Sequence, residues 1–224
     1  MNPDDRLGRL PGYPLADLPA RKRQLIAQGV DLIDLGAGDA DYPPPAEVVE
    51  ALRRAVGETA LNKYGFQQGH AGFRRAAVEW MARRFGVHFD AATEILPLIG
   101  SKEGLAHLPL AVLNPGDLAV VPEPGYQAYL GGTVLAGGTP VIYPLTARTR
   151  HLVELEELGD ETLKRVRLVF LNYPNNPTAA IAPRDYLQRT VALCRRYGIV
   201  LAYDNPYCDV TFDGYVAPSI FEIP

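Results

Sequence analysis

Short apolar segments alternate with helical segments over most of this chain, and the alternation limits the folds that the chain can adopt. Apolar stretches of strand length occupy residues 94–99, 118–121, 141–143, 168–172 and 199–203. Segments with helical character lie between several of them, at residues 101–113, 126–135 and 183–197. Buried strands that alternate with helices are typical of a mostly parallel sheet with helices on both faces. We therefore predict an α/β fold.

The first part of the chain is less regular. We predict a helix at residues 18–28, a short strand at residues 31–35 and a helix at residues 71–85. Another helix is predicted to begin at Ala46, directly after three prolines, because proline is tolerated in the first turn of a helix.

Composition argues against several classes of protein. The formal net charge of −4 disfavours nucleic acid or an anionic membrane as the main partner. The two cysteines, Cys194 and Cys208, form no CxxC pair, so they predict neither a disulfide framework nor a metal site. The polar N-terminus lacks the apolar core of a signal peptide, and no apolar run has the length of a membrane span. We expect a cytoplasmic protein.

Polar residues cluster where the predicted strands end. Ligands of open α/β sheets bind beyond the carboxyl ends of the strands. The segments at these ends are Gly100-Ser101-Lys102-Glu103-Gly104, Pro122-Glu123-Pro124-Gly125-Tyr126, Asn172-Tyr173-Pro174-Asn175-Asn176-Pro177-Thr178 and Asp204-Asn205-Pro206-Tyr207. We predict that they meet at one edge and form a binding site.

Ser101 and Asp204 each have two interpretations. Ser101 opens a predicted helix, where its hydroxyl and the free backbone N–H groups suit a phosphate. Alternatively, Ser101 only caps the helix while Glu103 supports its first turn. Asp204 ends an apolar strand, where a carboxylate is costly unless it is paired. A protonated pyridine nitrogen is one possible partner, and the alternative is that Asp204 caps the loop that follows.

Five further residues also have a structural alternative to a role in binding. Tyr126 either stacks on a planar ring or packs at a helix start. Asn176 either contacts a ligand or only stabilises a Pro-Asn-Asn-Pro turn. Tyr207 either donates to a phenolic oxygen or packs in the core. Tyr64 is a ligand contact or a surface tyrosine, and Gly38 contacts a substrate or only permits a turn.

In combination and in this order, the segments resemble the class I and II aminotransferases, which are fold-type I enzymes that use pyridoxal 5'-phosphate (PLP). The resemblance covers residues 33–220 and rests on Gly36-Ala37-Gly38-Asp39, Tyr64-Gly65, Gly100-Ser101-Lys102-Glu103, Pro124-Gly125-Tyr126, Asn175-Asn176-Pro177-Thr178 and Asp204-Asn205-Pro206-Tyr207. It implies the large domain of a fold-type I PLP-dependent transferase, with a mixed, mostly parallel sheet. Residues 1–40 would form an N-terminal arm and a small-domain segment. Residues 41–224 would form the N-terminal part of the PLP-binding domain.

The resemblance also implies a role for each candidate residue. Ser101 and Lys102 would hold the PLP phosphate, Tyr126 would stack on the pyridine ring, and Asp204 would pair with the ring nitrogen. Asn176 and Tyr207 would donate to the phenolic oxygen and, with Asp204, form the catalytic set. Tyr64 would reach the phosphate of the partner subunit's cofactor in a homodimer. Gly38 would lie beside the substrate carboxylate.

Within the family, the chain is most similar to the LL-diaminopimelate aminotransferase group of lysine biosynthesis. That similarity implies transfer of an amino group from an amino acid to a 2-oxo acid. Another fold-type I chemistry, such as alanine or aromatic aminotransferase or C–S lyase activity, is the alternative. A non-catalytic PLP-like module that forms dimers is the alternative from a different class.

The chain departs from the family pattern in one large and two small respects. The lysine that attaches the cofactor covalently is expected shortly after Pro224, whereas the lysines of this chain are Lys22, Lys63, Lys102 and Lys164. We therefore expect residues 1–224 alone to be inactive. Ala40 and Ala179 replace a usual proline and a common glycine. The resemblance also implies cis peptide bonds at Glu123–Pro124 and Asn176–Pro177.

Overall fold

The computed structural model describes residues 4–10, 12, 16–36, 38, 42–64 and 68–224. Internal contacts divide the chain into two compact units. The larger unit comprises Met1–Pro11 and Ala71–Pro224, and the smaller comprises Gly12–His70. The predicted domain border between residues 40 and 41 lies within the smaller unit and stays a prediction.

The secondary structure follows the predicted alternation in the larger unit. The described α-helices are α1 (Asp4–Leu7), α2 (Leu18–Ala27), α3 (Ala46–Val56), α4 (Ala71–Phe85), α5 (Ser101–Val112), α6 (Gln127–Leu135), α7 (Asp160–Leu163) and α8 (Arg184–Tyr197). The described strands are β1 (Leu118–Glu123), β2 (Thr139–Pro144), β3 (Val166–Asn172) and β4 (Val200–Asp204). Short 3₁₀ helices cover Thr59–Asn62, Ala147–Thr149, Leu155–Leu158 and Ile220–Glu222. None of the helices in the described ranges is long and apolar enough to cross a membrane.

The strands form one parallel sheet in the order β2-β1-β3-β4. The two inner strands are the most buried, because helices cover both of their faces. Every residue of β1 is buried except Glu123, and every residue of β3 is buried except Arg167. Parallel sheets are typically covered in this way, and their inner strands are accordingly apolar throughout.

Alternate residues of the inner strands pack into different hydrophobic clusters. On one face, Val120 and Val169 pack in a cluster with Leu187 of α8. On the other face, Ala119 and Phe170 pack in a cluster with Tyr129 of α6. This alternation follows from the two-residue period of a strand. The α/β architecture with helices on both faces is therefore confirmed.

Two of the predicted strands are wrong. Residues 31–35 and 94–99 have no strand structure, and their apolar side chains are largely exposed, including Ile33 at 82% and Ile99 at 94%. Their composition suits a strand, but neither segment pairs with another strand within the described residues. Because a strand needs a hydrogen-bonded neighbour, composition alone did not predict the structure of these two segments correctly.

Three proline peptide bonds of the described residues are cis. Glu123–Pro124 and Asn176–Pro177 are cis, as the family resemblance implied. Tyr173–Pro174 is also cis, and it was not predicted.

Candidate active site

An open cavity of about 380 Å³ lies in the larger unit, where α5 begins and β4 ends. Its volume falls within the range of small-molecule sites, roughly 300–1,000 Å³. The residues that line it are Leu98, Ser101, Gly104, Leu105, Tyr203, Asp204, Asn205 and Pro206. Two of the residues predicted to bind the cofactor, Ser101 and Asp204, therefore share one cavity wall.

The Asp204 carboxylate is hydrogen-bonded to a buried tyrosine. The Tyr129 hydroxyl donates a hydrogen bond of 2.6 Å to Oδ2 of Asp204. Burial raises the pKa of the Asp204 carboxyl above its usual value, and the hydrogen bond from Tyr129 opposes that rise. Within the described residues, Asp204 accepts no hydrogen bond from the loop that follows β4 and forms no ion pair. The interpretation of Asp204 as a loop cap is therefore wrong.

Tyr129 also belongs to an aromatic cluster that includes Tyr126. Its ring stacks on Phe170 of β3, with the centroids 4.7 Å apart and the planes 15° from parallel. The Tyr126 ring meets it edge-on at 5.8 Å and 77°. Nζ of Lys102 lies 5.2 Å from the centroid of the Tyr126 ring. Tyr126, which is predicted to stack on the ring, and Lys102, which is predicted to bind the phosphate, are therefore in contact with each other.

Gly125 determines where Tyr126 can lie. A Cβ atom on Gly125 would stand 2.3 Å from the backbone oxygen of Pro122, which is too close for any other residue. The chain therefore turns tightly between β1 and α6, and Tyr126 occupies the N-cap position of α6. This turn brings the aromatic ring to the end of the sheet.

The Ser101 hydroxyl does not cap α5. Gly100 occupies the N-cap position with a φ of 79°, and Ser101 is the first helical residue. Glu103 supports the first turn by accepting a hydrogen bond of 2.7 Å from the N–H of Ile99. The interpretation of Ser101 as the cap is therefore wrong, whereas the supporting role of Glu103 is confirmed.

Asn176 and Tyr207 lie close together at the ends of β3 and β4. Nδ2 of Asn176 donates to the Tyr207 hydroxyl at 3.2 Å. Asn172 links the same two segments, because its Nδ2 donates to the backbone oxygen of Asp204 at 2.8 Å and its Oδ1 accepts from the N–H of Asn176 at 2.7 Å. Asn172 is buried, with 3% of its surface exposed. The pair predicted to bind the phenolic oxygen is thus tied to Asp204 through one side chain.

Tyr64 and Gly38 lie in the smaller unit. The Tyr64 side chain is 88% exposed, and the space where a Cβ of Gly38 would stand is open. Their predicted roles at the cofactor phosphate of the partner subunit and at the substrate carboxylate stay predictions. Ala37, Asp39, Ala40 and Gly65, which belong to the same two motifs, are outside the described residues.

Three further residues at the site were not predicted as site residues from the sequence: Tyr129, Asn172 and Asn205. Tyr129 carried a weak signal, because a tyrosine on an apolar helix usually needs a partner for its hydroxyl. Asn172 and Asn205 adjoin predicted site residues but have no motif of their own. Oδ1 of Asn205 is buried on the cavity wall and has no hydrogen-bond partner among the residues that the structure describes.

Known proteins with similar sequences are aminotransferases. The chain is 46% identical to the LL-diaminopimelate aminotransferase of Desulforudis audaxviator over 222 residues, which cover 97% of this chain and 56% of that protein. It is 41% identical to the LL-diaminopimelate aminotransferase of Aquifex aeolicus, covering 98% of this chain and 57% of that protein. The chain therefore spans somewhat more than half the length of these relatives.

Solved structures with the same fold include other enzymes of this kind. Substrate-bound BacF from Bacillus subtilis superposes with a TM-score of 0.91 at 30% identity, over 100% of this chain and 56% of that chain. A probable N-succinyldiaminopimelate aminotransferase from Thermus thermophilus gives a TM-score of 0.85 at 36% identity, over 92% of this chain and 55% of that chain. These neighbours support the fold-type I architecture.

The family model for aminotransferase class I and II matches residues 30–222, which is most of the chain. Members of this family depend on PLP. The matched region includes the cavity and every predicted site residue described above. The chain belongs to the class I and II aminotransferase family.

Proposed function

We propose that the chain, at its natural length, catalyses PLP-dependent transfer of an amino group from an amino acid to a 2-oxo acid. The observation that carries this proposal is the Asp204 carboxylate, which is held by Tyr129 on the wall of a cavity that it shares with Ser101. A carboxylate in that position suits a cationic ring nitrogen, and the start of α5 suits a phosphate.

The described residues fit PLP on physical grounds. Burial raises the pKa of Asp204, and none of the described residues forms an ion pair with it. A carboxylate buried without a cation is costly, and a protonated pyridine nitrogen would remove that cost. Ser101 and Lys102 would hold the phosphate, the Tyr126 ring would stack on the pyridine ring, and Asn176 and Tyr207 would donate to the phenolic oxygen.

Each side chain then has a separate task. When bound, PLP supplies an electron sink for the negative charge that develops at the amino acid's Cα. Asp204 keeps a proton on the ring nitrogen, which strengthens that sink. Tyr126 would hold the pyridine ring in one plane by stacking on it. The hydroxyl of Tyr207 and the amide of Asn176 hold the phenolic oxygen in place.

Three of the four lysines have contacts that differ from those of a residue attached to the cofactor. Lys22 pairs with Asp34 at 2.5 Å. Lys164 forms surface ion pairs with Asp160 and Glu161. Lys102 lies over the Tyr126 ring in the phosphate segment. We propose that the attachment lysine lies in sequence beyond residue 224.

The relatives support a dicarboxylic amino-acid substrate. Several of them carry the name LL-diaminopimelate aminotransferase, and a structural neighbour carries the name N-succinyldiaminopimelate aminotransferase. We propose LL-diaminopimelate, or a closely related amino acid, as the amino donor. We further propose that the protein acts in the cytoplasm as a homodimer, with Tyr64 at the cofactor phosphate of the partner subunit.

A panel of substrates tests this proposal. The protein at its natural length is supplied with PLP, 2-oxoglutarate and one amino donor at a time, and glutamate formation is measured. We expect LL-diaminopimelate to give the highest kcat/KM, well above alanine and the aromatic amino acids. A preference for alanine or an aromatic donor would change the substrate assignment. Release of pyruvate and thiol from cystathionine would indicate a C–S lyase. Absence of all these reactions, with PLP bound, would indicate the non-catalytic module.

A further inference from the structure

The side chain of Tyr129 has no assigned role in the chemistry proposed above, although it makes a direct contact with Asp204. Tyr129 lies on α6, and its exposed surface is 0%. Its hydroxyl lies 2.6 Å from Oδ2 of Asp204, which is 75 residues away in sequence. A hydrogen bond to a charged acceptor is typically about twice as strong as one between neutral groups.

The contact distinguishes the two oxygens of the Asp204 carboxylate. Oδ2 accepts the hydrogen bond from Tyr129, whereas Oδ1 receives none from any residue that the structure describes. Asp204 lines the cavity, so Oδ1 is the oxygen left for a donor that enters it. The stacking of Tyr129 on Phe170 of β3 fixes the phenol in position. The direction of the carboxylate is therefore determined by a side chain that is itself locked in the core.

We propose that Tyr129 is a positioning residue that holds Oδ2 of Asp204, presents Oδ1 to the cofactor's ring nitrogen, and keeps the carboxylate ionised in a buried site. This inference rests on the proposed function for its consequence in catalysis. Its physical part, the control of Asp204, concerns only groups of this chain.

The surroundings of Asp204 make Tyr129 the group with the clearest influence on its ionisation. Burial raises the pKa of Asp204, and the hydrogen bond from Tyr129 is what lowers it. Other titratable groups of the described residues lie around Tyr129 and the cavity, and they include the phenols of Tyr126 and Tyr207, the phenol of Tyr203 and the ammonium of Lys102, which lies over the Tyr126 ring. Asp204 must be followed through its own carboxyl signal, because the chain has 26 aspartate and glutamate residues.

The first experiment measures the titration of Asp204 directly. The protein at its natural length, freed of PLP, is labelled with ¹³C at its aspartate carboxyl groups, and the Asp204 signal is assigned with Asp204→Asn. In Tyr129→Phe we expect the midpoint of the Asp204 titration to move to higher pH, because the donor to the ionised form is lost. An unchanged midpoint in a folded variant overturns the proposal.

Tyr186→Phe is the matched control. Tyr186 is also fully buried and donates a hydrogen bond of 2.9 Å from its hydroxyl, but its acceptor is the backbone oxygen of Val153 on the other face of the sheet. This variant should lose comparable stability and leave the Asp204 midpoint where it is in the wild type. An equal shift in both variants would mean that the effect is only structural, which also overturns the proposal.

A second measurement needs no substitution at Tyr129. The hydroxyl proton of Tyr129 should give a downfield signal in the wild type above the Asp204 midpoint and move upfield as Asp204 becomes protonated. A Tyr129 signal that is insensitive to pH throughout the Asp204 titration would contradict the contact. If this proton and the carboxyl titration behave as expected but the enzyme transfers no amino group, the proposed function fails while the role of Tyr129 stands.

The loaded enzyme supplies a third readout. If the proposed function holds, the acid limb of the kcat profile should shift to higher pH in Tyr129→Phe and stay in place in Tyr186→Phe. The loss should be large at low pH and small at high pH, where Asp204 is ionised in both proteins. A uniform loss at every pH would contradict the proposal, because a merely structural defect has no reason to follow the titration of one carboxyl.

Discussion

Asn172 and Asp204 form the last pair of the ladder between β3 and β4, and the Asn172 side chain donates a hydrogen bond of 2.8 Å to the Asp204 backbone oxygen. The same side chain accepts a hydrogen bond from the N–H of Asn176. One buried amide therefore fixes the two segments that carry Asp204 and Asn176. A small displacement of Asn172 would move a proposed partner of the ring nitrogen and a proposed partner of the phenolic oxygen together.

Replacement of Asn172 by alanine should loosen both segments. The substitution leaves a partly buried carbonyl and a partly buried N–H without these partners, at a cost of up to about 1–3 kcal/mol each. We expect a clear fall in the free energy of unfolding and faster hydrogen exchange at residues 203–207. Asn175→Ala is the control, because Asn175 is also buried but its side chain accepts from Thr178 alone among the described residues. If both variants accelerate exchange at residues 203–207 equally, the linking role of Asn172 is wrong.

Replacement of Ala179 by glycine should stabilise the folded protein. Its φ is 58°, and for a residue with a Cβ this left-handed conformation costs roughly 1–2 kcal/mol. Glycine removes that cost but adds freedom to the unfolded chain, so Ala179→Gly should stabilise the protein by about 0.5–1 kcal/mol in denaturant unfolding. Ala180→Gly should destabilise it, because Ala180 lacks a positive φ. A loss of stability in Ala179→Gly would contradict this account of the turn.

Asp204 should reduce the stability of the protein while PLP is absent. Its pKa in the folded protein is raised by burial, so protonation favours the folded state and the ionised carboxylate disfavours it as pH rises through the folded pKa. At pH 7 without PLP, Asp204→Asn should have a Tm a few degrees above the wild type. The difference should shrink as pH falls through the folded pKa and be absent below 3.8, the pKa of an ordinary aspartate. Saturating PLP should reverse the order, and a wild type that is more stable without PLP at pH 7 would refute the prediction.

Residues 1–224 alone should show no transaminase activity and no specific attachment of PLP to lysine. The resemblance to the family implies an attachment lysine beyond residue 224, and Lys22, Lys102 and Lys164 have other contacts. The test is incubation with PLP, borohydride reduction, digestion and location of pyridoxyl-lysine by mass spectrometry. Sparse labelling at surface lysines such as Lys164 is compatible with the prediction. Stoichiometric labelling of Lys102 together with turnover would mean that the phosphate segment had been misassigned.

The sheet and the edge at which the candidate site lies were predictable from the sequence, because both depend on local residue patterns. The buried runs at β1 and β3 are apolar over their whole length, and the polar segments follow directly after them. The contact between Tyr129 and Asp204 was not predictable in this way, because it joins α6 to β4 across 75 residues. The predictions of strands at residues 31–35 and 94–99 were wrong for a related reason, since a strand depends on a neighbour that composition does not specify.

The central claim is that Asp204 keeps the cofactor's ring nitrogen protonated, and the ¹⁵N chemical shift of that nitrogen tests it most directly. PLP labelled with ¹⁵N at the ring is bound to the protein at its natural length, to Asp204→Ala and to Tyr207→Phe. We predict the shift of a protonated pyridine in the wild type and in Tyr207→Phe, whose hydroxyl serves the phenolic oxygen, and the shift of a neutral pyridine in Asp204→Ala. A protonated nitrogen in Asp204→Ala, or a neutral one in the wild type, would contradict the account.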